Sequence, residues 1–321
     1  PLVMAAPAIA ARLAGLTRYD TAVAISQATF GPGKTLTNEV VIARGDLFPD
    51  ALVASFLASL YNGPHPILLT PGDQLPPAVM DEIHRLASES RVYIVGDTAA
   101  ISSTIEAQVR ATVPEVLRVG GATRYDTAAA ITGMIGEART FAFVVSGENY
   151  PDALAVAPLA FAESIPILLT TRNELHPAAR LGIVTAHAAN IIVVGGSDAV
   201  SDAVLGELHA VTGVESVTRV AGIDRLATAV AVADLAVSRF RFETTHINLA
   251  RGDAFPDAVA AGPHGGVELA VTLFTEGVHE LGAPTKAWLQ AYAPMITSIH
   301  VLGDATVISD DVVAEAATAA G

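Results

Sequence analysis

The chain has 321 residues, 51% of them hydrophobic, no cysteine and a formal charge of −15. The missing cysteine removes disulfides, thiolate nucleophiles and thiolate zinc sites. The acidic balance leaves no basic footprint for a nucleic acid, and no apolar run reaches the roughly 18 residues of a membrane span.

In chain order, Pro1 to Ala10 comes first. Its Ala8-Ile9-Ala10 end has the small-x-small form that closes a secretory signal, and it equally suits the lead into a first strand. Arg12-Leu13-Ala14-Gly15-Leu16-Thr17-Arg18-Tyr19-Asp20 follows, where Thr17 and Asp20 have capping-box spacing and predict a helix start. Arg44-Gly45-Asp46 lies just beyond a β-branched run, at the strand end where open α/β folds place ligands. In Phe48-Pro49-Asp50-Ala51 the proline and acid suit a first helical turn. Pro66-Ile67-Leu68-Leu69-Thr70 and Ile94-Val95-Gly96-Asp97 read as buried strands, the second ending in a tight turn.

The same landmarks then return in the same order, the signature of an internal repeat. The arginine motif recurs from Arg118 through Arg124 and from Arg219 through Arg225. Phe48-Pro49-Asp50 recurs as Tyr150-Pro151-Asp152 and Phe255-Pro256-Asp257. Three tandem modules result, 11–117, 118–218 and 219–321, each alternating strand and helix as a mainly parallel α/β sheet requires. In the second copy, strands are expected at 141–145, 165–169 and 190–194, with helices beginning near Asp126, Pro151, His176 and Asp198. The stretch after each Pro-Asp-Ala, such as Ala153 to Phe161, is apolar on every side. Such a helix must be covered on every side, so it is expected to line contacts between modules.

Eight of the 18 basic residues (Arg12, Arg18, Arg44, Arg118, Arg124, Arg219, Arg225 and Arg251) fall at repeat-equivalent positions. Guanidinium groups capture carboxylate or phosphate through two parallel hydrogen bonds. Pairing with the repeated Asp50, Asp152 and Asp257 is the alternative, and an Asp-oriented arginine can still receive an anion. No Walker loop, G-x-G-x-x-G, G-x-S-x-G or H-E-x-x-H motif is present. The nine histidines do not recur at matching positions. No catalytic residue, metal or cofactor is expected. The alternative is a hydrolase that acts on a phosphorylated or wall substrate through Asp46, Asp50 and a divalent ion.

The ordered set R-x-x-G-x-x-R-Y-D-T-A, R-G-D-x-F-P-D-A-L, P-I-L-L-T and I-V-G resembles the cell wall-binding repeat type 2 family, from Arg12 to Gly321. The resemblance implies Toprim-like α/β modules, three per unit, around a pseudo-threefold axis. It implies a secreted, non-catalytic surface anchor held to an anionic secondary wall polymer, with peptidoglycan or surface-layer (S-layer) proteins as further partners and no membrane insertion. Arg18, Arg124, Arg225, Arg44 and Arg251, with Asp50, Asp152 and Asp257, are the expected ligand residues. The third copy departs at Leu226, Ala227 and Val271 to Thr275, and the second replaces Arg44-Gly45-Asp46 with Ser146-Gly147-Glu148. The three repeats use up the chain, which reads as a fragment, a bare anchor or a self-assembling surface-layer subunit. Net acidity opposes an anionic ligand, but screening over about 8 Å at physiological salt lets a local arginine cluster dominate.

Overall fold

The computed structural model describes residues 8–34, 37–61, 63–149, 151–254 and 256–321. Residues 1–7 of the leader-like stretch, and Tyr150 and Phe255 of the Pro-Asp landmark, lie outside the described residues. The first repeat runs β1 (Ala8–Leu13), α1 (Arg18–Phe30), β2 (Glu39–Arg44), α2 (Phe48–Leu57), β3 (Ile67–Thr70), α3 (Pro77–Ala87), β4 (Arg91–Val95) and α4 (Ser103–Arg110). The second runs β5 (Glu115–Val119), α5 (Arg124–Thr132), β6 (Phe141–Ser146), α6 (Pro151–Leu154), α7 (Ala157–Ala162), β7 (Ile167–Thr170), α8 (Pro177–Ala186), β8 (Asn190–Val194) and α9 (Asp202–His209). The third runs β9 (Ser216–Val220), α10 (Arg225–Arg239), β10 (Glu243–Arg251), α11 (Pro256–Ala260), α12 (Gly262–Glu268), β11 (Ala270–Thr275), α13 (Ala283–Tyr292), β12 (Ser298–Leu302) and α14 (Asp310–Ala319).

Three four-stranded sheets form, in the orders β3-β2-β4-β5, β7-β6-β8-β9 and β1-β12-β10-β11. Every pairing is parallel. Central strands such as Val40 to Ala43 are wholly buried because helices cover both faces, as parallel sheets require. The last strand of each sheet carries the arginine motif that opens the next repeat. Positions 118 and 219 therefore fall inside β5 and β9, and β1 returns to complete the third sheet beside β12. The chain is a ring of three sheets, each handing its final strand to the following repeat.

Local chemistry sets the helix starts. Thr17 with Asp20 and Thr123 with Asp126 form the expected capping boxes, while Asp224 caps α10 alone because Ala227 offers no reciprocal group. The helix expected near Asp198 begins instead at Asp202, behind a turn, with Ser201 at its N-cap. One helix was expected after each Pro-Asp-Ala, but the second and third copies break it into two. Pro158 and Pro263 stand where the first copy has Phe56, and a proline inside a helix has no amide to donate and clashes with the preceding turn.

These helices fill the middle of the ring, as their all-round apolar character predicts. Ala51 to Leu57 of α2 are buried to the last residue, and α2 packs against α5, α7 and α11 while α7 packs against α12. Equivalent positions meet at the centre: a Cβ placed on Gly262 would lie 2.6 Å from Ser55 Oγ and 3.2 Å from Ala157 Cβ. Among the described residues no helix is long and apolar enough to cross a membrane.

Candidate functional site

The helix that opens each repeat lies against the Pro-Asp helix of the preceding one, so α5 meets α2, α10 meets α6 and α1 meets α11. This brings the repeated residues together between repeats rather than within one. Asp50 faces Arg124 and Thr127, Asp152 faces Arg225 and Thr228, and Asp257 faces Arg18. Each threonine Oγ1 also accepts the amide hydrogen of the motif glycine, from Gly15 at 3.1 Å, Gly121 at 3.2 Å and Gly222 at 3.0 Å. With that acceptor role filled, Thr127 and Thr228 donate their hydroxyl protons to Asp50 and Asp152.

The loop after β4, β8 or β12 closes the back of each junction. Gly96, Gly195 and Gly303 there have φ of +99°, +111° and +104°, and a Cβ would approach the facing aspartate Oδ2 to 2.6, 3.0 and 2.9 Å. Only glycine meets both demands. The carbonyls of these glycines accept from Arg118 Nη1 at 3.0 Å, Arg219 Nη1 at 2.7 Å and Arg12 Nη1 at 3.0 Å. Arg12, Arg118 and Arg219 thus tie each turn to the strand of the following repeat.

The predicted ligand arginines divide into two sets. Arg18, Arg124 and Arg225 bond the carbonyl oxygens of Gly45, Gly147 and Gly252 at 3.0, 2.6 and 3.4 Å while lying in the junctions. Tyr19 and Tyr125 pack over Gly45 and Gly147; in the third copy Leu226 lies against Gly282 instead. Arg44 is forked onto Asp46 at 2.6 and 2.8 Å, and Arg251 is forked in the same way onto Asp253. These pairs hold the carboxyls of Asp46 and Asp253 below the usual carboxylate range. The i,i+2 pairing accounts for the recurrence of Arg-Gly-Asp in the first and third copies.

Burial pushes Asp50, Asp152 and Asp257 up, Asp257 to about 6, with Arg18 pulling the other way and Asp304 adding to the rise. Two of the junctions form open clefts. The one between the third and first repeats measures about 260 Å3 and includes Arg18, Thr21, Arg251, Asp257 and Asp304. The one between the second and third measures about 650 Å3 and includes Asp152, Gly196, Asp198, Asp224, Arg225 and Thr228. Leu16 and Ile223 line these two clefts at 98% and 99% exposure, a pair of aliphatic lips beside polar floors.

A raised carboxyl binds its proton more tightly, so lowering the pH through about 6 neutralises Asp257 and leaves Asp304, which stays ionised, as the remaining acid in the cleft beside Arg18. Glucuronate, which stays ionised over this range, is expected to bind several-fold more tightly at pH 5 than at pH 7.5 when titrated calorimetrically. Asp257→Asn should remove the part of the pH dependence that this cleft contributes and leave the part set by Asp50 and Asp152, which burial also raises. An affinity that falls on acidification would refute the assignment.

A ring of α/β units in which an aspartate of one repeat faces an arginine of the next at each junction defines a repeat module that presents one arrangement several times. The chain belongs to the family of cell wall binding domain 2, which matches residues 12–106, 118–205 and 219–313. It is 31% identical over 249 residues to the N-acetylmuramoyl-L-alanine amidase LytC of Bacillus subtilis (strain 168), covering 78% of this chain and 47% of that protein. It is 31% identical over 210 residues to the amidase enhancer of the same organism, covering 65% of this chain and 28% of that protein. The structures of Cwp8 and Cwp6 from Clostridium difficile superpose with TM-scores of 0.83 and 0.81 at 26% and 25% identity, each over 96% of this chain. Those matches cover 51% and 48% of the two structures, so the chain spans about half the length of these relatives or less.

Proposed function

We propose that the chain is a secreted, non-catalytic module that attaches a protein to the bacterial cell wall by taking anionic groups of a wall polymer into its junction clefts. Membership of a wall-binding family supports the destination, and the match to Cwp8 and Cwp6 over nearly the whole chain supports the role. The observation that carries the ligand chemistry is the cyclic recurrence of one set: Asp50 with Arg124, Asp152 with Arg225 and Asp257 with Arg18. Three copies around a pseudo-threefold axis suit a repeating polymer, because linked weak sites gain avidity when the spacing lets them engage together.

In this reading Arg18, Arg124 and Arg225 meet the anionic group, and Asp50, Asp152 and Asp257 orient them or accept sugar hydroxyls. Arg44 and Arg251, expected as ligand residues from the sequence, are forked onto Asp46 and Asp253 and contribute little to the ligand in this reading. Binding is favoured over hydrolysis through Asp46 and Asp50 because Arg44 engages both oxygens of Asp46, while Asp50 bonds Thr127 of the neighbouring repeat.

The test is sedimentation of the purified chain with isolated walls before and after acid extraction of their anionic polymers. The chain should pellet with intact walls and stay in solution with extracted ones. The triple variant Arg18→Ala, Arg124→Ala, Arg225→Ala, checked for cooperative unfolding, should lose at least ten-fold in wall affinity. Retention on extracted peptidoglycan would discard the anionic ligand, and pelleting without walls would point to self-assembly.

A further inference from the structure

Several sequence departures of the second and third repeats are scattered along the chain, yet the fold brings them near one junction. Ser146 and Glu148 replace the Arg44 and Asp46 of the first copy, and Gly196 replaces the acid found at Asp97 and Asp304. Asp224 and Ala227 replace Thr17 and Asp20. Gly196, Asp224 and Arg225 all line the cleft between the second and third repeats.

One further exchange belongs with these. In the first copy Arg44 leaves the end of β2 and lies against Gly72 of the loop after β3, where a Cβ would be 3.3 Å from its Cζ. In the second copy the residue at the strand end is Ser146, whose Oγ accepts the amide hydrogens of Glu148 and Asn149 at 3.2 and 3.1 Å. The loop position of Gly72 is taken by Arg172. The two loops are held alike, since Ser102 N donates to Gly72 O and Ser201 N donates to Arg172 O, both at 2.8 Å. The guanidinium has moved from the strand to the loop.

Its partners change with it. Arg44 is forked onto Asp46 through two N–H groups, with its side chain 25% exposed. Arg172 reaches Asp198 through Nη2 at 2.6 Å, with side chains 51% and 98% exposed, while its backbone amide donates to Glu148. Arg44 spends Nε and Nη2 on Asp46 and Nη1 on the carbonyl of Ala99 at 3.2 Å, so each of its nitrogens is already engaged. An exposed pair held at one nitrogen opens at little cost.

We propose that the cleft between the second and third repeats is the principal oxyanion subsite of the ring, with Arg225 in its lining, and that Arg172, held at its edge by the cleft-lining Asp198, supplies a second guanidinium. Asp198, which lines the mouth of the cleft, parks Arg172 there until a carboxylate or phosphate on a sugar displaces it. Gly196 stands where the first and third copies keep Asp97 and Asp304, the acid nearest Asp152 is Asp224 instead, and the cleft here measures about 650 Å3. This assignment rests on the wall-polymer reading and names the junction and the residue that do most of its work.

The test titrates glucuronate, with glucose as the neutral control, into the full chain and three variants that retain cooperative unfolding. Arg172→Ala should weaken glucuronate binding at least five-fold and leave glucose unchanged, while Arg44→Ala should cost less than two-fold. The exchange variant Ser146→Arg, Glu148→Asp, Arg172→Gly, which rebuilds the forked pair of the first copy, should behave as Arg172→Ala. Equal losses for Arg44→Ala and Arg172→Ala, an exchange variant that binds as the parent, or no preference of the parent for glucuronate over glucose would each overturn the proposal. Wall sedimentation of the parent separates the two failures: a parent that pellets with walls while Arg172→Ala pellets equally well leaves the anchoring function standing and removes this subsite.

Discussion

Ala260→Asp is expected to destabilise the whole ring by about 3–5 kcal/mol, the scale set by burying an unpaired charge. Ala260 is 2% exposed near the end of α11, which packs against both α2 of the first repeat and α1 beside it. A carboxylate there has water on no side, so it must either ionise in an apolar environment or take up a proton. Two consequences distinguish this from an ordinary surface lesion. Thermal unfolding should stay a single step but shift down strongly, and the loss should shrink as the pH falls and the new carboxyl is neutralised. An unchanged midpoint would mean that the central helices do not hold the three sheets together.

Asn248→Val with Thr272→Ile is expected to raise stability, by about 1–3 kcal/mol for each unpaired polar group removed. Asn248 is fully buried with neither amide atom partnered, and Thr272 is 3% exposed with its hydroxyl unpartnered. The two face each other across β10 and β11. The first repeat has Val41 and Ile67 at the equivalent places, so the substitutions restore a combination that this fold already packs. The fit is close, because a Cβ on Gly265 of α12 would lie 2.7 Å from Asn248 Nδ2. Denaturant midpoints of the single and double variants check the expectation. A fall in both single variants would show that these groups are satisfied in solution.

Much of the architecture was legible because its causes are local. The capping boxes at Thr17 and Thr123 need three residues of context, and buried strands such as Phe143 to Val145 announce themselves by apolar runs. The recurrence of Asp50, Asp152 and Asp257 marks three equivalent positions in the sequence, but not that each one faces the following repeat. Each cleft needs an arginine and a threonine from the following repeat, and motif spacing carries no information about which neighbour an element faces. Arg12 is the extreme case, its partner Gly303 lying 291 residues away.

Arg172 was missed for a different reason. A search for repeat-equivalent residues discards a side chain that has changed position, although Gly72 and Arg172 each stand two residues after the recurring Pro-Ile-Leu-Leu-Thr and their loops share the hydrogen bond from Ser102 or Ser201. The sequence offers pairing with the repeated aspartates as the alternative to ligand capture, and geometry was needed to find the fork of Arg44 on Asp46.

The return of β1 to the third sheet governs the order in which the molecule can assemble. The first two sheets draw all their strands from continuous stretches, 39–119 and 141–220. The third must wait for the two ends of the ring to meet, a contact of very long loop length, and such contacts form late because the closure entropy comes before any reward. The cleft holding Arg18 and Asp257 is therefore the last to appear during folding. A circularly permuted chain that opens at β5 and joins the present ends through a short linker would move that late step to a different junction.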